Sequence, residues 1–180
     1  RIVSHEGAPS TNTHVNQGGP PYNAKAVVLM DALSGQVLYE QNPQLKIAPA
    51  SFVKILTLYL AWDAIRSGRL KMEDMTTVSE KAWRIQGSKM FIKVDTQVPV
   101  EDLIKGMIVQ SGNDACVALA EAIAGSEESF AQMMNREAKR LGMNSSNFTN
   151  STGLPDPQLY TTARDLATLA AALIRDFPAE

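Results

Sequence analysis

Five blocks between residues 51 and 175 repeat apolar side chains at helical spacing, and each is bounded by a glycine or a proline. Block 51–67 carries Phe52, Ile55, Leu56, Tyr59, Leu60 and Ile65 before Gly68. Block 100–109 follows Pro99, block 114–124 precedes Gly125, block 129–141 precedes Gly142, and block 162–175 stops before Pro178. Apolar stripes of that width must be covered, so the middle of the chain is expected to be a helical lobe packed on itself. Strand signals are thinner. Runs 25–30 (KAVVLM) and 36–40 (QVLYE) flank Asp31-Ala32-Leu33-Ser34-Gly35, which has turn chemistry, and read as one hairpin. Segments 75–78 and 90–94 are weaker strand candidates, and 144–158 is loop by composition. A hairpin alone is marginal in water and its edges invite pairing, so more strands are wanted than these runs supply.

Residues 1–23 mix Ser, Thr, Asn, Gly and Pro without periodicity and hold both histidines, His5 and His14. They read as a flexible leader to a domain spanning 24–180. A formal net charge of -2 offers no attraction to nucleic acid, which rewards a basic surface. The lone cysteine, Cys116, permits no internal disulfide, and its apolar helical neighbours suggest a buried, inert thiol. No basic-then-apolar leader and no run of about 18 apolar residues is present. The chain is therefore read as never exported or already trimmed.

Block 51–67 opens with Ser51, and Lys54 follows three positions later. On a helix that spacing puts both side chains on one face, about 5–6 Å apart at Cβ. A lysine amine can act as a base where desolvation or a second cation favours its neutral form. The helix N-terminus adds unpaired N–H groups where an oxyanion would form. With both histidines in the leader, a Ser-His-Asp triad has almost no material to work with. Spacing alone decides little, since 13 serines and nine lysines make one chance match ordinary. Ser51 as a helix N-cap, with Lys54 solvated, remains the alternative.

The second feature is Gln110-Ser111-Gly112-Asn113-Asp114, set between two helical blocks. Ser-x-x-Lys combined with Ser-Asp-Asn and Lys-Thr-Gly marks serine β-lactamases and penicillin-binding proteins, and here Ser-Gly-Asn stands in the middle position. With these motifs, and with DALSGQVLYEQN, APAS, GSKMFIK, LIKGMIVQSGNDACVALAEAIAGS and TTARDLATLAAALIRDFP, the chain resembles the low-molecular-mass penicillin-binding proteins, serine-type D-Ala-D-Ala carboxypeptidases. The resemblance runs from about Ala26 to Glu180.

That resemblance implies an α+β fold of the serine β-lactamase and DD-peptidase type, a helical lobe with an antiparallel sheet. It implies Ser51 as nucleophile, Lys54 as general base, Ser111 as proton relay and Asn113 as a substrate-binding amide. No cofactor or metal is implied. The partners it implies are peptidoglycan stem peptides ending in D-Ala-D-Ala and β-lactam antibiotics, met outside the cytoplasmic membrane in the periplasm. The third motif is missing, because no lysine is followed by Thr-Gly or Ser-Gly. Arg66-Ser67-Gly68 imitates it but reads as a helix stop about 20 Å from Ser51. The chain is accordingly expected to be an N-terminal fragment lacking most of the sheet, nearly inert until a second chain or C-terminal remainder completes it.

Two other readings stay open: a non-catalytic cell-wall binding or regulatory protein of the same fold, and a β-lactamase. Loop 144–160 lacks the glutamate that positions the deacylating water in class A enzymes, and holds only Asp156. Ser88 and Lys89 in GSKMFIK are expected either to edge the site or to be ordinary loop. Asp114 and Asp165, near predicted helix starts, are read as carboxylates that stabilise helix dipoles.

Overall fold

A computed structural model describes residues 2–3, 15–16 and 23–178. Of the segment read as a leader, Ile2–Val3 (β1) and Val15–Asn16 (β2) pair antiparallel, while both histidines lie outside the described residues. The fold is α+β, with helices accompanied by small antiparallel pairings, and the chain divides into two compact units.

The first unit comprises Arg1–Pro49, Glu137–Asn147 and Tyr160–Glu180. Its hairpin pairs Val27–Met30 (β3) with Val37–Gln41 (β4), and the register shifts between Leu29 and Met30. The intervening turn closes because the Asp31 carboxylate accepts the backbone N–H groups of Leu33 at 2.8 Å and Ser34 at 3.0 Å. Those bonds, Ser34 first, hold its carboxyl below the usual carboxylate range. Gly35 completes the turn at φ +74°. The last helix of the chain, Ala163–Asp176, packs against β3. It starts at Thr162, whose hydroxyl accepts the Asp165 N–H at 3.1 Å. Asp165 does more than favour the dipole. Its carboxylate accepts from Ser145 N–H at 2.9 Å and Ser146 Oγ at 2.7 Å, tying the 145–146 loop to the helix start. Arg164 pairs with buried Glu40 of β4 at 2.6 Å, joining helix to sheet.

The second unit, Ala50–Arg136 with Phe148–Leu159, is the helical lobe that the periodicity predicts. A 3₁₀ turn, Ala50–Phe52, leads into Val53–Arg66 (α1). Met75–Thr77 (β5) pairs with Gln97–Pro99 (β6), and Glu80–Arg84 (α2) lies between them. Val100–Gln110 (α3), Asn113–Ala124 (α4) and the start of Glu127–Leu141 (α5) follow, and Ala163–Asp176 is α6. The short helix α2 has no counterpart among the predicted blocks, although Ser79 caps it by accepting the Ala82 N–H at 3.0 Å.

Helix α4 forms the spine of this unit. Ala115, Cys116, Val117, Ala118, Leu119 and Ala120 are all fully buried, so the middle of α4 is apolar all round, as a helical segment enclosed on every side must be. Its alanines let α1, α2 and α3 approach closely, and Leu103, Met107, Ala61 and Val78 fill the gaps. Gly125, at φ +88°, ends it.

The strand expected at 90–94 is not formed. Phe91 and Asp95 adopt left-handed φ values of 64° and 60°, which an extended strand does not tolerate. Met90 and Ile92 give their N–H groups to the Asp114 carboxylate, at 2.9 and 3.2 Å, instead of to a neighbouring strand. The strand candidate at 75–78 is formed as β5, and its partner is β6, a segment not among the strand candidates.

Candidate active site

Ser51 does not cap a helix. It sits exposed in the middle of the 3₁₀ turn, Phe52 is the residue preceding α1, and no side chain caps that end. The turn is forced by Ala50 at φ +51°, a left-handed conformation that a residue with a Cβ adopts only when its surroundings impose it. The Ala50 backbone packs directly against Gly153, at φ +90°. A Cβ built there would lie 1.7 Å from the Ala50 carbonyl oxygen, so only glycine allows this approach. Among the described residues the Ser51 hydroxyl makes no hydrogen bond, which leaves it available to a substrate.

Lys54, half-buried on the first turn of α1, is not solvated as the N-cap alternative requires. Its Nζ donates to the Thr152 carbonyl at 3.1 Å. One turn further along the same face, Thr57 Oγ1 donates to the Ser151 carbonyl at 2.8 Å. Two adjacent carbonyls of the 150–153 turn are thus held by two α1 side chains three residues apart. The turn also closes on itself, because Asn150 Oδ1 accepts the Gly153 N–H at 2.8 Å.

Ser111 and Asn113 bracket the break between α3 and α4. Ser111 ends α3 in a left-handed conformation, φ 53° and ψ 37°, and among the described residues its hydroxyl is also without a hydrogen bond. Asn113 is buried and faces away from bulk solvent. Its backbone N–H donates to Ser88 O and its Nδ2 to Gln86 O, both at 2.7 Å. Its Oδ1 is buried with no partner among the described residues. A buried amide oxygen left unpaired costs about 1–3 kcal/mol, the kind of cost that persists where a ligand or a moving side chain later supplies the donor.

Asn113 and Cys116 lie three apart on one face of α4. Burial pushes the Cys116 thiol up to about 12, and the Lys54 ammonium is the leading influence in the opposite direction. Helix α1, which carries Lys54 on its first turn, packs on α4. The thiol itself is fully buried, as its apolar context predicts.

Asp114 serves the α4 dipole, as expected, and more besides. Its carboxylate accepts the Ala115 N–H at 2.9 Å, and it also takes the Met90 and Ile92 N–H groups. With the two bonds from Asn113, it pins segment 86–92 alongside the Ser-Gly-Asn bend. Ser88 enters through its backbone carbonyl, and Lys89 turns its amine to Trp83 O at 3.2 Å. Thr57, Glu127, Thr152 and Gly153 belong to the site without any sequence motif to announce them. Asn150-Ser151-Thr152-Gly153 signals a turn, but nothing local names the helix on which that turn docks.

The family profile described as D-alanyl-D-alanine carboxypeptidase matches residues 12–180. The chain is 47% identical over 167 residues to the D-alanyl-D-alanine carboxypeptidase DacC of Escherichia coli, covering 89% of this chain and 42% of that protein. The crystal structure of D-alanyl-D-alanine carboxypeptidase DacD from Francisella tularensis superposes with a TM-score of 0.87 at 40% identity, over 95% of this chain and 41% of that one. Penicillin-binding protein D2 of Listeria monocytogenes, solved in an ampicillin-bound form, superposes with a TM-score of 0.78 at 27% identity, over 90% of this chain and 66% of that one. The chain spans about two fifths of the length of these curated relatives.

Proposed function

The chain belongs to the family of D-alanyl-D-alanine carboxypeptidases, and from that premise we propose that it carries the acyl-transfer centre of a serine DD-carboxypeptidase. The Ser51 hydroxyl adds to the carbonyl carbon of the penultimate D-alanine of a peptidoglycan stem peptide, and its proton passes to Lys54 Nζ. The peptide C–N bond breaks as Ser111 relays a proton to the departing amine. Free D-alanine leaves, with an ester on Ser51 that water then hydrolyses to restore the hydroxyl.

The observation that carries this reading is the unpartnered, buried Asn113 Oδ1 on α4, the helix on which α1 packs with Lys54 in its first turn. A neutral amine has two N–H donors and one lone pair. With one donor on Thr152 O and the other free for Asn113 Oδ1, the lone pair is left for the Ser51 proton. The exposed Ser51 hydroxyl at the start of α1 also has helix N–H groups beside it to favour a developing oxyanion.

β-Lactams acylate the same hydroxyl on this reading, and the protein works where peptidoglycan is, outside the cytoplasmic membrane. None of the nine lysines is followed by Thr-Gly or Ser-Gly, the third motif that the resemblance implies.

The test compares the full-length protein with its Ser51→Ala variant, using a fluorescent penicillin and a peptide ending in D-Ala-D-Ala. The parent should form a covalent adduct and release D-alanine, and the variant should do neither. An adduct that persists in Ser51→Ala overturns the proposal, and sustained turnover of nitrocefin reassigns the protein as a β-lactamase.

A further inference from the structure

We propose that Glu127 is a positioning residue for the Lys54 amine, acting through Ser151 and Thr152; this deepens, and rests on, the reading of Lys54 as the base of Ser51. Glu127 is the first residue of α5 and only 7% exposed. Both of its carboxylate oxygens are engaged. Oε2 accepts the Ser151 N–H at 3.2 Å and the Ser151 Oγ–H at 2.7 Å, while Oε1 receives Lys81 Nζ at 3.1 Å. The α5 N-terminus and the Lys81 charge offset the desolvation of this carboxylate.

Two bonds from one carboxylate to the backbone and side chain of one residue fix its orientation as well as its place. Ser151 is fully buried, and its own carbonyl is the acceptor for Thr57, while the next carbonyl is the acceptor for Lys54. The two carbonyls lie in successive peptides, 151–152 and 152–153, so displacement of residue 151 would disturb both acceptors and loosen both α1 side chains. The bonds from Asn150 close the turn but tether it to nothing outside itself. Glu127 is the carboxylate tether that comes from a helix other than α1, so the position of the Thr152 carbonyl does not depend on the lysine it holds. A lysine on a flexible four-carbon stem gains most from such a fixed acceptor.

The experiment measures acylation of the full-length protein by a fluorescent penicillin in stopped flow, separating the limiting acylation rate constant from the dissociation constant of the preceding complex. Glu127→Ala should lower the limiting rate on the order of 10-fold to 100-fold, with the dissociation constant within about threefold of wild type. Glu127→Gln keeps the shape and one acceptor oxygen for Ser151, and should recover most of the rate. Ser151→Ala, which removes only the 2.7 Å bond, should fall between them and decides the matter if Glu127→Ala does not fold. An unchanged limiting rate in folded Glu127→Ala or Ser151→Ala overturns the proposal, as does a loss carried wholly by the dissociation constant. Full acylation of Lys54→Ala would instead remove the reading on which the proposal stands, and the two failures are told apart by that variant.

Discussion

Lys54 and Thr152 are 98 positions apart in the chain, yet the lysine amine donates to the threonine carbonyl at 3.1 Å. This bond turns an apparently solvated first-turn lysine into a held one. It also makes the 150–153 turn part of the machinery around Ser51, although none of the side chains of that turn takes part in the proposed reaction.

Gly153 is the tightest point of that arrangement. A methyl group there would meet the Ala50 carbonyl oxygen at 1.7 Å and its carbon at 2.4 Å, both backbone atoms that cannot swing aside. Gly153→Ala should therefore displace the Ser51 turn, lowering penicillin acylation by about 10-fold or more and stability by about 2 kcal/mol. Acylation kinetics with a thermal melt on the same sample checks both.

Asp114 holds segment 86–92 by accepting two backbone N–H groups that have no strand partner. Asp114→Ala leaves them unsatisfied, and the expected loss is about 2–4 kcal/mol. Hydrogen exchange should quicken first at the amides of Met90 and Ile92. Exchange there as slow as in the parent would remove the pinning role.

Cys116 carries a pH signature. Burial raises its thiol from 9.0 to about 12 against the opposing Lys54 charge, so the folded protein keeps a proton that the unfolded chain gives up. Stability from this group is fully present below pH 9 and falls as pH rises from 9 towards 12, by at most about 4 kcal/mol. The difference in stability between the parent and Cys116→Ala, followed by denaturant titration across that window, should shrink by this amount. A thiol reagent at pH 8 should label the unfolded chain far faster than the native one.

The Glu40–Arg164 pair should respond unequally to loss of either partner. Burial raises the Glu40 carboxyl, and Arg164 only partly opposes it. Folding therefore favours protonated Glu40, and its contribution to stability declines as pH rises above 4.5. Removing the arginine leaves an uncompensated buried carboxylate, so Arg164→Ala should cost more at pH 7 than at pH 4, by about 1–3 kcal/mol. Glu40→Gln, which leaves a half-exposed arginine, should cost less at pH 7. Thermal or urea unfolding at the two pH values reads both.

Ser51, Lys54, Ser111 and Asn113 could be named as candidates because each sits in a short motif whose spacing has a chemical meaning. The helical lobe was legible from apolar periodicity closed by glycines and prolines. Segment 90–94 misled because its residues suit a strand, while its conformation is imposed by a carboxylate more than 20 positions away. The N-cap reading of Ser51 failed for a similar reason, since Ala50 takes a left-handed turn where it meets the backbone at Gly153, about 100 positions away.

Local order in the chain was enough to mark the five long helical blocks, the glycines and prolines that bound them and the candidate reactive side chains, because propensity, periodicity and capping act over a few neighbouring positions; the short helix α2 escaped it. The orientation of those groups came from contacts between distant segments: Thr152 on Lys54, Glu127 on Ser151, Asp114 on Met90 and Ile92. Hydrogen bonds of that kind depend on where buried backbone arrives once the helices have packed, and no short window of residues encodes it.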